Sequence, residues 1–276
     1  MKRLFIEPLD VLMFRSERPF VAKESHVAKF GVISPLTFEG ALKSKIFLDF
    51  CEKRGYLPSD FQRRRKGYET KKEFEESLEE LRETVKDKLR NDNELKELLE
   101  TIGYSPLNYP SKLNVLGVFF SKKEKKQEWF PVPRDVVRKD DENDYVFKLN
   151  PVLEDELKIT GTEEYVCFSN YSKIKEVSGL LSFDALVDYL WGKKLNKSQV
   201  VKNPYDIELR TGIQLERGTK RTIEGHLYTA QFLRLKNWKE SWGFIIWYES
   251  SIEISNGIAV SYTHLRAHET SLHLVC

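Results

Sequence analysis

The sequence predicts an α+β fold, because strand-like and helix-like hydrophobic patterns alternate along its 276 residues. Residues 2–14 alternate loosely, as in a β-strand with one buried face. Residues 36–54 follow with an apolar stripe at helical spacing, which ends at Gly55, a residue type common just after helices. A strand that leads into a helix begins an α+β or a βαβ unit, and strand-like segments dominate the second half of the chain.

An inserted helical hairpin is predicted over residues 63–102. A basic run opens this segment, and Thr70 and Glu73 have the spacing of a capping box. Two amphipathic stripes follow, and the second ends at Gly103. The many charges are expected to form a solvated face, and docking of a partner is the alternative.

Strands are predicted in the remainder of the chain, around one short helix over 182–192 with Ser182 as its N-cap. The strand-like segments cover residues 113–120, 129–135, 208–215, 223–236 and 242–249. A basic turn joins the third and fourth of these segments into a hairpin.

Composition and charge exclude several classes of protein. Hydrophobic residues make up 40% of the chain and charged residues 32%, which is typical of a folded globular protein. No apolar run is long enough to span a bilayer and no signal peptide is recognisable, so we expect no membrane partner. The 3 cysteines lack paired spacing, which fits a reducing cytoplasm without disulfides. The net charge of +2 means that any contact with nucleic acid must come from local patches.

The last residues contain a cluster of histidines that we do not interpret as a metal site. His268, Glu269 and His273 have the spacing HExxxH, whereas a zinc protease needs HExxH to bring both histidines to one helical face. Residues 260–270 (VSYTHLRAHET) resemble a translated sequencing adapter. We therefore expect residues 260–276 to be non-native and the natural reading frame to continue differently after Ala259.

The first candidate binding site is a basic loop followed by a helix start. Arg15 and Arg18 come after the apolar N-terminal strand, and the next helix begins near Ser34 and Thr37. Backbone N–H groups at a helix start, together with nearby cations, are suited to a phosphate group. Lys43 and Lys45 lie in the first turns of that helix, and we expect them to add positive charge. Surface ion pairs are the alternative for the two arginines.

A second basic set lies on the predicted hairpin. Arg210, Lys220, Arg221 and Arg234 are placed on its strands and turn, where they are able to lie along a nucleic-acid backbone. A solvated turn without a ligand is the alternative.

Catalytic chemistry finds little support in the sequence. Outside the tail only His26 and His226 are available as general bases, and His226 is expected to be an exposed strand residue. His26 lies in the basic loop, where a contact with phosphate is the favoured role. Neither a phosphate-binding P-loop nor a GxGxxG pattern occurs, and no cofactor or metal is expected.

Four motifs in order resemble a known family, the third subunit of the Cmr complex, which is the type III-B CRISPR effector. The matching segments are residues 6–20 (IEPLDVLMFRSERPF), 34–42 (SPLTFEGAL), 130–135 (FPVPRD) and 208–213 (ELRTGI), the last followed by 220–222 (KRT) and 225–228 (GHLY).

This resemblance implies a RAMP-superfamily protein with two ferredoxin-like (RRM-like) lobes and helical insertions. Residues 1–180 would form the first lobe, with the helical hairpin inserted, and residues 181–259 an incomplete second lobe. The family's glycine-rich loop near the C-terminus is missing here. Its members lie beside the large polymerase/cyclase-like subunit and a backbone RAMP subunit, and they hold the 5′ tag of the CRISPR RNA.

We therefore expect a non-catalytic, cytoplasmic RNA-binding subunit for antiviral defence. The CRISPR RNA and other Cmr subunits would be its partners. Its RNA contacts would be Arg15, Arg18, His26, Ser34, Thr37, Lys43, Arg210, Lys220, Arg221 and Arg234. Two alternatives stay open. One is a metal-independent endoribonuclease with His26 as general base, and the other is a protein adaptor that does not contact RNA.

Overall fold

A computed structural model describes residues 1–14, 27–28, 31–63, 70–139, 145–148, 150–151, 167–168, 174–215, 222–236, 241–261 and 272–275. Within these residues the helices are α1 (Pro35–Arg54), α2 (Lys71–Leu89), α3 (Asn93–Ile102) and α4 (Phe183–Leu190). The strands are β1 (Lys2–Pro8), β2 (Val27–Ala28), β3 (Asn114–Lys122), β4 (Trp129–Pro131), β5 (Val136–Lys139), β6 (Tyr145–Lys148), β7 (Asn150–Pro151), β8 (Cys167–Phe168), β9 (Ile174–Glu176), β10 (Leu180–Ser182), β11 (Leu195–Asn196), β12 (Val200–Val201), β13 (Tyr205–Leu215), β14 (Thr222–Leu235), β15 (Trp242–Glu249), β16 (Ile258–Ser261) and β17 (Leu272–Val275).

Helices and mainly antiparallel strand pairs together confirm the α+β class. The chain divides into two compact units that alternate along the sequence. Unit 1 contains Met1–Val118, Ile207–Arg234 and Phe244–Cys276, and unit 2 contains Phe119–Asp206 and Leu235–Gly243. The predicted boundary between two lobes at residue 180 stays a prediction, since compactness does not test it. By compactness, most of the β13–β14 hairpin belongs to the same unit as β1. In the sequence, residues 119–206 of unit 2 lie between the hairpin and the first segment of unit 1. Sequence order alone therefore does not show that the two belong to one unit.

The core of unit 1 is built on the pairing of its first and a late strand. β1 pairs antiparallel with β15, with Ile6 opposite Phe244. Phe244 and Phe38 of α1 are fully buried, with ring centroids 5.1 Å apart, and Phe14 stacks on Phe38 at 5.8 Å. Truncation of one such buried ring to alanine typically costs about 3–5 kcal/mol of stability. The aromatic cluster therefore fixes α1 against the sheet.

Helix α1 has the limits that the sequence predicts. Pro35 occupies its first turn, where a missing N–H costs no hydrogen bond. Gly55 ends the helix with φ of 73°, and its N–H donates to the carbonyl oxygens of the last turn. A left-handed conformation at this position is accessible to glycine without strain.

The predicted helical hairpin is present as α2 and α3. The Thr70 hydroxyl accepts from the Glu73 N–H and the Glu73 carboxylate accepts from the Thr70 N–H, which confirms the capping box. Asp92 caps α3, and Gly103 follows it with φ of 73°. The Tyr104 hydroxyl donates to the carbonyl oxygen of Phe61, and this bond ties the hairpin to the segment after α1.

The β13–β14 hairpin holds both ends of the N-terminal basic loop in unit 1. Leu12 forms an antiparallel bridge with Leu233 of β14. On the same strand, Thr229 and Ala230 pair in parallel with β2. Val11, Met13, Ala230 and Phe232 form a small buried cluster beneath this region.

Unit 2 is organised around β10 and α4. β10 pairs with β4 and with β12, and β5 pairs with β6 and with β9, all antiparallel. Ser182 caps α4 as predicted, since its hydroxyl accepts from the Ala185 N–H. Leu181 and Ala185 lie fully buried in a cluster with Val136 and Leu195. The strand pairs and α4 thus share one small apolar core.

In the described part of the chain, no helix combines the length and the apolar character that crossing a bilayer requires. The origin of residues 260–276 stays a prediction. Of these residues, 272–275 form β17, which pairs with β16 and with the end of β1.

Candidate functional site

The residues on either side of the N-terminal basic loop meet just before the start of α1. The Gly31 N–H donates to the carbonyl oxygen of Phe14 at 2.7 Å, so the chain on either side of residues 15–30 is brought together. Gly31 precedes the N-cap of α1 by three residues. Arg15, Arg18 and His26 lie outside the described residues, and their RNA contacts stay predictions. The geometry nevertheless joins the loop that contains them to the predicted helix start.

The first turn of α1 presents polar groups and contains no acidic residue of its own. Ser34 is the N-cap, with extended backbone (φ −90°, ψ 126°), and its side chain makes no capping hydrogen bond. The Thr37 N–H donates to the Ser34 carbonyl oxygen at 3.1 Å. No acidic residue lies in this turn. Within this turn no acidic side chain offsets the partial positive charge of the helix N-terminus, which favours an anion.

Lys43 lies two turns further along the same helix and is paired with an acid. Its ammonium donates to Glu39 at 2.6 Å, an i,i+4 pair with both side chains mostly buried. The second Glu39 oxygen accepts from the Val115 N–H at 3.5 Å. A phosphate at Lys43 would have to share this ammonium with Glu39, so Lys43 contributes less free charge than the sequence suggests.

Lys45 is not a surface cation, contrary to the expectation from its position in the helix. The side chain is only 3% exposed, and its ammonium donates to both carboxylate oxygens of Asp49, at 2.8 and 3.2 Å. Asp49 also accepts from the Ser255 hydroxyl at 2.7 Å. Helical periodicity turns Lys45 inward while Lys43 stays near the surface. Asp49, held by Lys45, therefore anchors the segment around Ser255 to α1.

The hairpin arginines that the sequence assigns to RNA bind two carboxylates in the structure. Arg210 donates from Nε to Glu208 at 2.8 Å, and Arg234 donates from Nε to the other Glu208 oxygen. Both guanidinium groups also approach Asp10, at 3.5 and 3.4 Å. The Arg210 guanidinium lies over the Phe232 ring, 5.3 Å from its centroid. Two cations and two anions balance, so this cluster has no net charge.

The hydrogen bonds from Arg234 and then Arg210 lower the pKa of Glu208 to about 2. The carboxylate stays ionised at neutral pH and holds both arginines in place. Lys220 and Arg221, in the turn of the same hairpin, lie outside the described residues, as does the side chain of His226. Their predicted roles stay predictions.

Some of the ion pairs of these cations can be recognised from the sequence. Lys43 and Lys45 each have an acid four residues away on α1, the spacing that favours helical ion pairs. Glu208 and Arg210 lie two residues apart and so share one face of β13. The participation of Asp10, more than two hundred residues from Arg234, depends on tertiary contact and has no local signal.

Among the described residues, no group of three or more His, Cys, Asp or Glu side chains is placed to hold a metal ion. The described site offers hydrogen-bond donors and charged side chains. An extended chain of phosphates is the kind of ligand that such a surface can bind.

Comparison with known proteins identifies the family. Two solved structures of type III-B Cmr-beta are similar, one bound to cognate target RNA and AMPPnP and the other bound to cognate target RNA. The first match has a TM-score of 0.44 and 15% identity, covering 100% of this chain and 62% of that chain. The second has a TM-score of 0.42 and 16% identity, covering 100% and 64%. The chain thus spans less than two thirds of the length of these relatives, and the sequence matches no curated protein.

The family model described as CRISPR-associated protein (Cas_Cmr3) matches residues 4–258, which include all four motifs that carry the resemblance. This match covers nearly the whole chain, and it confirms the resemblance to the third Cmr subunit. The chain belongs to the CRISPR-associated Cas_Cmr3 family.

Proposed function

We propose that this chain is a non-catalytic RNA-binding subunit of a type III-B Cmr effector, and that it holds the 5′ tag of the CRISPR RNA. The observation that carries the proposal is the hydrogen bond from Gly31 to Phe14, which brings the Arg15/Arg18 loop back to the start of α1. Family membership supports the same assignment.

The proposed RNA grip has two parts of different strength. The loop arginines and the Ser34–Thr37 turn form the main phosphate contact, because the first turn of α1 has no acid to compete with a phosphate. Lys43, Arg210 and Arg234 are secondary contacts, since each already binds a carboxylate. His26 is assigned a phosphate contact rather than proton transfer, and Lys220 and Arg221 a contact from the hairpin turn.

The proposal includes the architecture and partners that the resemblance implies. Two ferredoxin-like lobes are supported by the way β1 leads to α1 and pairs antiparallel with a distant strand. The large polymerase/cyclase-like subunit and a backbone subunit are the proposed protein partners.

Binding of a single-stranded CRISPR RNA, with and without its 5′ tag, tests the function. We expect Arg15→Ala with Arg18→Ala to weaken binding of the tagged RNA about 10-fold or more, and to reduce the preference for the tag. The matched control is Lys71→Ala with Lys72→Ala, which also removes two cations from a helix start. Both control side chains are almost fully exposed and make only long ion pairs.

Three results would contradict the proposal. Equal affinity of the arginine variant and the wild type would exclude the loop as the RNA site. A cleaved RNA product that disappears in His26→Ala would favour the endoribonuclease. Normal assembly with Cmr subunits, without any crosslink to RNA, would favour the adaptor.

A further inference from the structure

Helix α4 ends in two large apolar side chains that lie in solvent. Trp191 is 79% exposed and Leu190 is 69% exposed. The Trp191 N–H closes the last helical turn by donating to the Val187 carbonyl oxygen at 3.0 Å, so the backbone that carries the indole is fixed. Gly192 follows with φ of 71° and turns the chain back. An exposed indole on a rigid support presents a flat face to a ligand.

The segment after Trp191 runs back along unit 2 to the start of α4. Leu195 is buried and pairs with β6, and β12 then pairs with β10, the strand that leads into α4. Eight helical residues span about 12 Å. The segment from Trp191 to Lys202 therefore returns over about the length of α4.

The charge of this segment is entirely positive. Residues 190–205 contain four lysines and no acidic residue. Lys193 is paired with Asp188 of α4 at 2.7 Å. Lys194, Lys197 and Lys202 are exposed and form no ion pair with the described part of the chain. Three exposed lysines without an ion pair to the described part of the chain thus follow the indole within the next eleven residues.

An exposed indole beside exposed lysines favours a nucleic acid over a protein as the partner of this surface. Lysine is depleted in protein–protein interfaces, where tryptophan is usually surrounded by apolar or arginine side chains. Single-stranded nucleic acid, by contrast, is bound by aromatic stacking platforms beside cations that follow the backbone. The charges and the indole together fit a single RNA strand.

We propose that residues 191–202 form a second contact for single-stranded RNA, with Trp191 stacking on a base and Lys194, Lys197 and Lys202 contacting phosphates. This inference rests on the proposed RNA-binding function and adds a surface of unit 2 to it. Because both the indole and the ammonium groups act on any base sequence, the contact is independent of sequence.

Affinity for a single-stranded CRISPR RNA, measured with the full-length chain, tests this contact. We expect Trp191→Ala to raise Kd about 5- to 100-fold, the range for one lost base stack. Trp191→Phe keeps an aromatic face and is expected to stay within about 3-fold of the wild type. The matched control is Leu190→Ala, which removes the neighbouring exposed apolar side chain and is expected to leave Kd unchanged.

The salt dependence of RNA binding measures the contribution of the lysines. Each lost phosphate contact on a single strand lowers the slope of log K against log salt by about 0.7. Replacement of Lys194, Lys197 and Lys202 by alanine is therefore expected to lower the slope by about 2, with thermal unfolding unchanged.

Photocrosslinking of the same RNA, with mass-spectrometric mapping of the crosslinked peptides, separates this inference from the proposed function. Crosslinks at both Trp191 and residues 15–43 support both. Crosslinks at 15–43 alone, with wild-type affinity in Trp191→Ala, overturn only the second contact. Crosslinks at Trp191 alone overturn the N-terminal grip and keep the second contact. A Trp191→Ala variant that binds RNA normally but fails to assemble with Cmr subunits identifies a protein interface and overturns the inference.

Discussion

Replacement of Asp49 by alanine should destabilise unit 1 by leaving the Lys45 ammonium buried without its partner. In the wild type this ammonium is 2.8 Å from the nearer Asp49 oxygen and almost fully buried. Gly257 lies against it, since a Cβ at that position would be 2.8 Å from Nζ. The described surroundings therefore leave little room for the ammonium to find another position.

The magnitude follows from the burial of the two partners. Breaking a fully buried ion pair costs about 3–5 kcal/mol, because one charge stays uncompensated. The Asp49 side chain is 42% exposed, so solvent already screens part of the attraction. We therefore expect about 2–3 kcal/mol for Asp49→Ala, which corresponds to a fall in Tm of about 3–5 °C in a chain of this size.

A double-mutant cycle with Lys45→Met measures the interaction directly. The methionine fills a similar volume without a charge, and Asp49 can then be solvated while it still accepts from Ser255. We expect Lys45→Met to cost less than about 1 kcal/mol, and the double variant to be about as stable as Lys45→Met alone. Equilibrium urea unfolding of the four proteins gives the free energies.

The matched control is Glu75→Ala, which breaks an exposed Lys–acid pair of the same i,i+4 spacing. Its cost should be below about 0.5 kcal/mol. Two results would contradict an uncompensated buried charge as the cause. One is a loss of unfolding free energy in Asp49→Ala as small as that of the control. The other is a double variant that is no more stable than Asp49→Ala.

Three further predictions concern titratable groups of unit 1. Hydrogen bonds from Arg234 and Arg210 hold the pKa of Glu208 at about 2. The ionised carboxylate therefore stabilises the fold above its unfolded pKa of roughly 4.3, and this stabilisation is lost as the pH falls towards 2. Below about pH 4.5, the urea midpoint of Glu208→Gln should therefore decrease less steeply with falling pH than that of the wild type. Burial raises the pKa of the Cys51 thiol to about 11, so alkylation of Cys51, followed by peptide mass spectrometry, should be absent in the native protein and appear only on unfolding. Burial raises the pKa of Tyr104 to about 12 while its hydroxyl donates to Phe61, and Tyr104→Phe should cost about 1 kcal/mol in thermal or urea unfolding.

Local signals in the sequence predicted the helices well. The limits of α1 and the capping box of α2 depend on Pro35, Gly55, Thr70 and Glu73, each of which acts on its own turn of the chain. The strands 208–215 and 223–236 were also predicted, and the structure extends or shifts them by only a few residues. Such elements are readable because their causes lie within a few neighbouring residues.

Features set by tertiary contact could not be predicted in the same way. The burial of Lys45 depends on what packs on the inner face of α1, and periodicity alone does not say where that face is covered. The exposure of Trp191 was equally hidden, because an apolar residue at the end of an amphipathic helix is expected to be buried. The run of lysines after Trp191 was the available signal, since uncompensated charge rarely surrounds a buried indole.

The hairpin arginines, Arg210 and Arg234, are less available to a phosphate than their positive charge suggests. Asp10 comes just before the N-terminal loop, and Arg210 and Arg234 bind it together with Glu208. A phosphate at these arginines must displace carboxylates that already satisfy them, so its net gain is smaller than at the start of α1, where no acid competes. The same contacts hold the segment between β1 and residues 15–30. We expect Arg234→Ala to weaken the proposed RNA binding by removing a cation and also to loosen the segment before residues 15–30, and a parallel measurement of stability separates these two effects.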